Sequence, residues 1–244
     1  MRAPDDAHPP RFRSIPKHGG VRWLTDLDEA DDAAYRAAVA PLVGSIERSL
    51  GPEVVANRTR SGSRGWRLAA WTRARAVWER RLSSALATAP PPTAFAVADV
   101  RSCYPAISPA TVLRTLGPAG APAARLLERF ADAGVRGLPV GPDPSAVLAN
   151  AVLAPLDEAL RRAGVAHVRW VDDLVVWGER ADVVRALAGA HRAASALGLE
   201  LHAAKTGIVE DRAAIGRASC GRSWASREAA ARVDGPSGPI IAAP

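Results

Sequence analysis

The chain has 244 residues, 48% of them hydrophobic and 23% charged, with a formal net charge of +7. This is enough apolar material for one large core with a smaller lobe, and the positive surplus points to an anionic partner such as nucleic acid. A disulfide scaffold is excluded, because Cys103 and Cys220 are far apart and form no paired motif, and so is a membrane span, because no run reaches the ~18 apolar residues one needs. No apolar leader opens the chain, so the expected location is cytoplasmic, with free thiols and no membrane partner. A high-GC coding bias accounts for much of the Arg content, but acidic residues do not balance it.

Residues 1–12 are polar and Pro-rich and read as a disordered arm. The next region, 13–92, is basic and mostly helical in pattern. Within it, 28–50 has early acidic residues and Tyr35, Val39, Leu42, Val43, Ile46 and Leu50 at helical spacing, with Pro41 expected to kink or split the helix. A second, Arg- and Trp-rich helix is expected over 65–88. Trp71 and Trp78, seven apart, read as core, while Arg58, Arg67 and neighbouring arginines read as a nucleic-acid face. APPPT (89–93) marks a boundary. Residues 93–212 then alternate elements: a strand at 95–100, helices at 108–116 and 121–131, a loop at 137–145, a long helix at 146–163 with Pro155 as a local defect, strands at 165–171 and 174–178, a helix at 181–197, and an extended return to 209. Residues 213–244 are a low-complexity tail rich in Gly, Ser, Pro and Ala. GRASCGRS (216–223) echoes a phosphate-binding loop but has Arg222 for its Lys and no buried strand before it, so it is discounted.

RWVDDLVVWG (169–178) carries the chemistry. Two adjacent carboxylates, Asp172 and Asp173, interrupt an apolar run, and charge is costly to bury without a partner. Successive strand residues face opposite ways, so both acids reach one point only at a hairpin turn. Asp favours turns on its own account. A third carboxylate, Asp99, ends the apolar strand FAVAD, and the three together make a hard, all-oxygen set suited to Mg2+. Two such ions about 3.5–4 Å apart serve in-line phosphoryl transfer. The lysines point the same way. Only Lys17 and Lys205 are Lys among the 32 basic residues, and Lys can release a proton where Arg cannot.

These motifs resemble, in order, those of reverse transcriptases, the RNA-directed DNA polymerases. IPKHGGVR (15–22) is similar to the fingers motif, DVRSCYPAIS (99–108) to the first palm motif, and GLPVGPDPSAVLAN (137–150) to the loop-helix beside template and nucleotide. WVDD (170–173) resembles the YxDD box and LGLELHAAKTGIV (197–209) the motif that follows it. The resemblance implies an α+β right-hand palm, an antiparallel sheet with packed helices, and a small, mostly helical fingers lobe. It implies that Asp99, Asp172, Asp173 and Lys205 are catalytic, with Asp99, Asp172, Asp173 and the Val100 carbonyl holding two Mg2+ ions, for which Mn2+ would substitute. It further implies that Lys17, Arg22, Tyr104, Val140 and Gly141 meet the nucleotide, Tyr104 beneath the sugar favouring dNTPs over NTPs. Arg58, Arg67 and Trp170 would face nucleic acid, and the partners would be an RNA template, a DNA or RNA primer, and dNTPs.

The chain departs from the family at Trp170, where Tyr or Phe is usual, and at Val140, where many members have Gln. The loop around Val140 looks more like the bacterial abortive-infection and defence-associated branch. The residues after 210 are too few and too rich in Gly, Pro and Ala for a helical thumb, so the thumb is expected to be absent or vestigial and a protein partner to supply it, or the primer. Two other readings stand beside templated synthesis: template-independent DNA synthesis in phage defence, and a non-catalytic nucleic-acid-binding protein of the same fold. An RNA polymerase would have to use NTPs despite Tyr104.

Overall fold

The computed structural model describes residues 9–17, 20–63, 65–90, 93–209 and Ile215. Two hairpins and two long helices precede the central sheet: β1 (Arg11–Lys17) with β2 (Gly20–Asp26), α1 (Glu29–Ser49), β3 (Thr59–Gly62) with β4 (Gly65–Leu68), and α2 (Trp71–Thr88). Region 13–92 thus holds two hairpins beside its two long helices, and β1 starts at Arg11, inside the expected arm. The helix expected from residue 65 begins at Trp71, because Gly65 takes a positive φ of 93° to turn the chain antiparallel onto β3. α1 begins where Asp28 accepts the amide of Asp31 at 2.7 Å, and it runs through Pro41 without a break.

Next come β5 (Ala94–Asp99), α3 (Cys103–Ala106), α4 (Pro109–Leu116), α5 (Ala121–Asp132) and α6 (Asp143–Arg162). Then follow β6 (Ala166–Trp170), β7 (Asp173–Gly178), α7 (Arg180–Ala196) and the short β8 (Gly207–Val209). α6 starts three residues before its expected position, with Pro144 in its first turn, and continues through Pro155. The central sheet is antiparallel in the order β6-β7-β5-β8.

Side-chain alternation sends β5 and β7 to two different cores. Ala96, Ala98, Leu174 and Val176 join the larger core, with Val147, Leu148, Val152, Leu153 and Leu156 of α6 and Val183 and Ala186 of α7. Phe95 and Val175, with Val168 and Trp170 of β6, join the smaller one, closed by Ala74, Trp78, Leu82 and Ala85 of α2 and by Ile215. The sheet is thus a layer between α2 on one side and α6 and α7 on the other. Trp78 is buried as the spacing predicts, whereas Trp71, at the first position of α2, stays exposed. Among the described residues no helix is long and apolar enough to cross a membrane. The expected low-complexity tail and the discounted phosphate-loop echo lie outside the described residues, Ile215 excepted.

Candidate active site

β5 lies inside the sheet between β7 and β8, and its last residue, Asp99, pairs across the ladder with Asp173, the first residue of β7. Directly opposed residues project to the same face, so register alone brings these two acids together. Asp172 is one half of the two-residue turn Val171–Asp172 that joins β6 to β7, and Trp170 pairs with Asp173 across it. The Val100 amide donates to the Asp172 carbonyl at 3.2 Å, tying the turn to the end of β5. On the other flank the Asp99 carbonyl accepts the His202 amide at 2.7 Å, and a single 3-10 turn (Ala203–Lys205) then brings Lys205 round. Its Nζ donates to Asp99 Oδ2 at 3.0 Å, with 59% of the Lys205 side chain exposed and 12% of Asp99.

The electrostatics are unbalanced. Burial, then the charge of Asp99, pushes the Asp172 carboxyl up to about 6, and the charges of Arg22 and Lys205 only partly offset this. Asp173 is raised well above the usual carboxylate range by burial, by Asp172 and Asp99, and by a hydrogen bond with Asp99 that only a protonated acid can donate. Cys103 is no nucleophile here: burial first, then Asp172, pushes its thiol up. Among the described residues no three His, Cys, Asp or Glu side chains already form a metal cage. Three carboxylates share the charges of Lys205 and Arg22, and their oxygens are the kind of donor set that a divalent cation takes.

Backbone strain gathers at the same place. The non-glycine residues with positive φ among those described are Asn57 (57°), Ser102 (47°) and Val171 (56°). For the β-branched Val171 this conformation costs on the order of 1–3 kcal/mol. Val171 precedes Asp172, Ser102 leads into α3 and Tyr104, and Asn57 Nδ2 donates to the Tyr104 hydroxyl at 3.3 Å. The loop before α6 closes over Tyr104. Leu138 N donates to the Tyr104 carbonyl at 2.9 Å, and Val140 O accepts the Thr25 amide at 2.8 Å. Gly137 has φ 63°, and a Cβ there would lie 2.5 Å from the carbonyl oxygens of Tyr104 and Pro105, so only glycine lets the loop approach this closely.

The structure brings Asp99, Asp172, Asp173, Lys205 and the charge of Arg22 together, and it holds Val140 and Gly141 in the loop against β2. Of Lys17 only the backbone is described, at the end of β1 opposite Gly20. Val100 is engaged through its amide. Trp170, expected at the nucleic-acid face, is 5% exposed and packs edge-on against Trp78 at 6.2 Å, because strand alternation turns it into the smaller core. Arg58 is turned inward, its guanidinium donating to Glu47 Oε1 at 2.6 Å and to the carbonyls of Gly51 and Val54. Arg67 is exposed on β4 opposite Arg60, and those two arginines share one surface.

Sequence reasoning missed three residues beside the site: Asn150, Asp157 and Arg169. Arg169 is fully buried, and its Nε and Nη2 donate to the Asp157 carboxylate at 2.8–3.0 Å. Burial alone would raise the Asp157 carboxyl, but Arg169's charge and hydrogen bonds, with help from His167, hold it below its ordinary value. The available signal was Asn150 and Asp157, seven apart on the apolar face of one helix, with a lone Arg in an apolar strand.

No protein-family model matches the chain, and no curated protein sequence matches it. Solved structures do, and they show a reverse-transcriptase-like fold. Telomerase from Candida albicans in complex with the TWJ fragment of telomeric RNA superposes with a TM-score of 0.51 at 13% identity, covering 83% of this chain and 41% of that one. Apo telomerase from Candida tropicalis gives 0.54 at 10% identity, covering 84% and 44%. The same enzyme truncated from its C-terminal domain gives 0.51 at 11% identity, covering 82% and 49%. The chain therefore spans less than half the length of these telomerases.

Proposed function

We propose that the protein is a Mg2+-dependent nucleotidyltransferase of the reverse-transcriptase kind, adding dNTPs to a primer 3′ end on an RNA template. The observation that carries this reading is the ladder pairing of Asp99 with Asp173, with Asp172 on the intervening turn and Lys205 Nζ 3.0 Å from Asp99. Asp99, Asp172 and Asp173 would hold the ions, which when bound supply charge neutralisation for the attacking hydroxyl and the leaving pyrophosphate. Arg22, whose charge already reaches Asp172, would meet the triphosphate, as would Lys17. Lys205 Nζ, mostly exposed at the rim of the acid cluster, would serve as proton donor to the departing pyrophosphate. Tyr104, its hydroxyl held by Asn57, would exclude a ribose 2′-hydroxyl. A template strand, and a protein partner supplying a thumb or primer, complete the reading, and membership of the defence-associated bacterial branch is part of it.

The test is incorporation of labelled dNTPs by purified protein with Mg2+, on a primed RNA template and without template, beside Asp172→Asn. Templated DNA that disappears in Asp172→Asn supports the reading. Product without template replaces it with untemplated synthesis. RNA binding with no product under either condition, with candidate partners added, favours the non-catalytic binding protein.

A further inference from the structure

Arg169 does more than neutralise Asp157. With Nε and Nη2 given to that carboxylate, Nη1 is left to donate to Asn150 Oδ1 at 3.1 Å and to the Val171 carbonyl at 2.9 Å. The second of these bonds lands on the strained turn residue immediately before Asp172. The first continues as a chain: Asn150 Nδ2 donates to the carbonyls of Ala56 and Asn57, both at 3.2 Å, and Asn57 Nδ2 donates to the Tyr104 hydroxyl at 3.3 Å. One fully buried guanidinium is thus hydrogen-bonded to the acid-bearing turn on one side and connected to Tyr104 on the other.

We propose that Arg169, clamped by Asp157, is the positioning residue of the site, fixing the Val171–Asp172 turn directly and the Tyr104 ring through Asn150 and Asn57. A planar fork is needed, because a lysine ammonium cannot serve a carboxylate, an amide and a peptide carbonyl from one plane. Restraint is needed as well, since a β-branched residue in the left-handed region leaves it unless held. The consequence for metal and sugar rests on the polymerase reading, whereas the control of the turn does not.

The decisive variant is the double substitution Arg169→Met with Asp157→Leu. It removes a buried ion pair as a unit, which proteins tolerate far better than loss of one partner, and it leaves the Val171 carbonyl unheld. Exchange of the Val100 amide, bonded to the Asp172 carbonyl, reads the turn without metal or substrate. It is expected to quicken roughly 10-fold or more as that end of the ladder opens. Mn2+ affinity, read from the spectrum of the free ion, is expected to fall about 10–100-fold, the usual loss when a residue supporting metal ligands is removed. Asn57→Gly, which keeps the positive φ, is expected to leave Val100 exchange unchanged and to lower dNTP preference over NTP.

A double variant whose Val100 exchange matches wild type overturns the proposal, whatever its Mn2+ affinity. Faster exchange in a protein whose wild type neither binds Mn2+ nor incorporates nucleotide leaves the positioning role standing and removes the polymerase reading. If the double variant does not fold, Arg169→Lys, which keeps the charge opposite Asp157, is read by the same exchange measurement with the same criterion.

Discussion

Two polar clusters lie a few residues apart on β6 and β7, and their charge balance is opposite. Around Arg169 the charges are matched: one buried guanidinium meets one buried carboxylate, with the Asn150 amide, the Val171 carbonyl and the His167 imidazole beside them. Around Asp99, Asp172 and Asp173 three carboxyl groups share one exposed lysine and the nearby charge of Arg22, and two of them are pushed toward holding protons. The first cluster is finished; the second still lacks positive charge. Burial does not distinguish the two clusters. Whether the charges close on themselves does.

Breaking the closed cluster should give the largest effect. Asp157→Asn strands a buried guanidinium, and such a loss costs about 3–5 kcal/mol, a fall in melting temperature of roughly 6–20 °C for a chain of this size. The equivalent neutralisation in the open cluster, Asp172→Asn, relieves like-charge repulsion and should raise the melting temperature in metal-free buffer. A melt of Asp172→Asn below wild type would erase the contrast.

Completing the open cluster comes next. At a hundred times its dissociation constant, Mg2+ should add about 2.7 kcal/mol to folding stability, and Asp172→Asn should abolish most of that gain while Asp157→Asn keeps it. Thermal melts across a magnesium titration decide this.

The pH dependence should then split by cluster. Asp172 titrates near 6 in the folded chain and Asp173 is raised too, so between about pH 6 and 4 the native state binds more protons than the unfolded one, and stability rises as pH falls. Asp157 is depressed, so its contribution is complete above the unfolded value of about 3.9 and is lost only as pH falls through its lower folded value. Melts in chelator from pH 7 to 3 should therefore rise and then fall, and Asp172→Asn should reduce the rise without moving the fall.

The smallest effect is expected at the rim. Lys205→Ala removes an ion pair whose cation is mostly exposed, so it should cost less than about 1 kcal/mol of stability. Nucleotide incorporation should drop far more than the melt implies.

The open cluster was legible in the sequence because its members are chemically out of place: acids in apolar strands, and Lys205, one of two lysines in a chain that otherwise uses arginine. The closed cluster was hidden by the same bias. One Arg among so many carries no mark, and Asn150 and Asp157 acquire meaning only once α6 is laid against β6. Strand positions 166–178 were read within a residue or two because apolar runs on both sides bracket the doublet. The hairpins β1–β2 and β3–β4 were not, since short Arg-rich strands with one half-buried face have the composition of an exposed helix. Trp170 was placed by its motif and not by its parity, and parity sends it into the core.

The turn between β6 and β7 has only two residues, and this makes the site intolerant of changes in chain length. Inserting or deleting one residue there would move β7 by half a pleat against β5, exchanging Leu174 and Val176 with Val175 and Trp177 between the two cores and turning Asp173 away from Asp99. A change of chain length at this turn therefore dismantles both cores and the acid pair at once, whereas a change of side chain leaves the register intact.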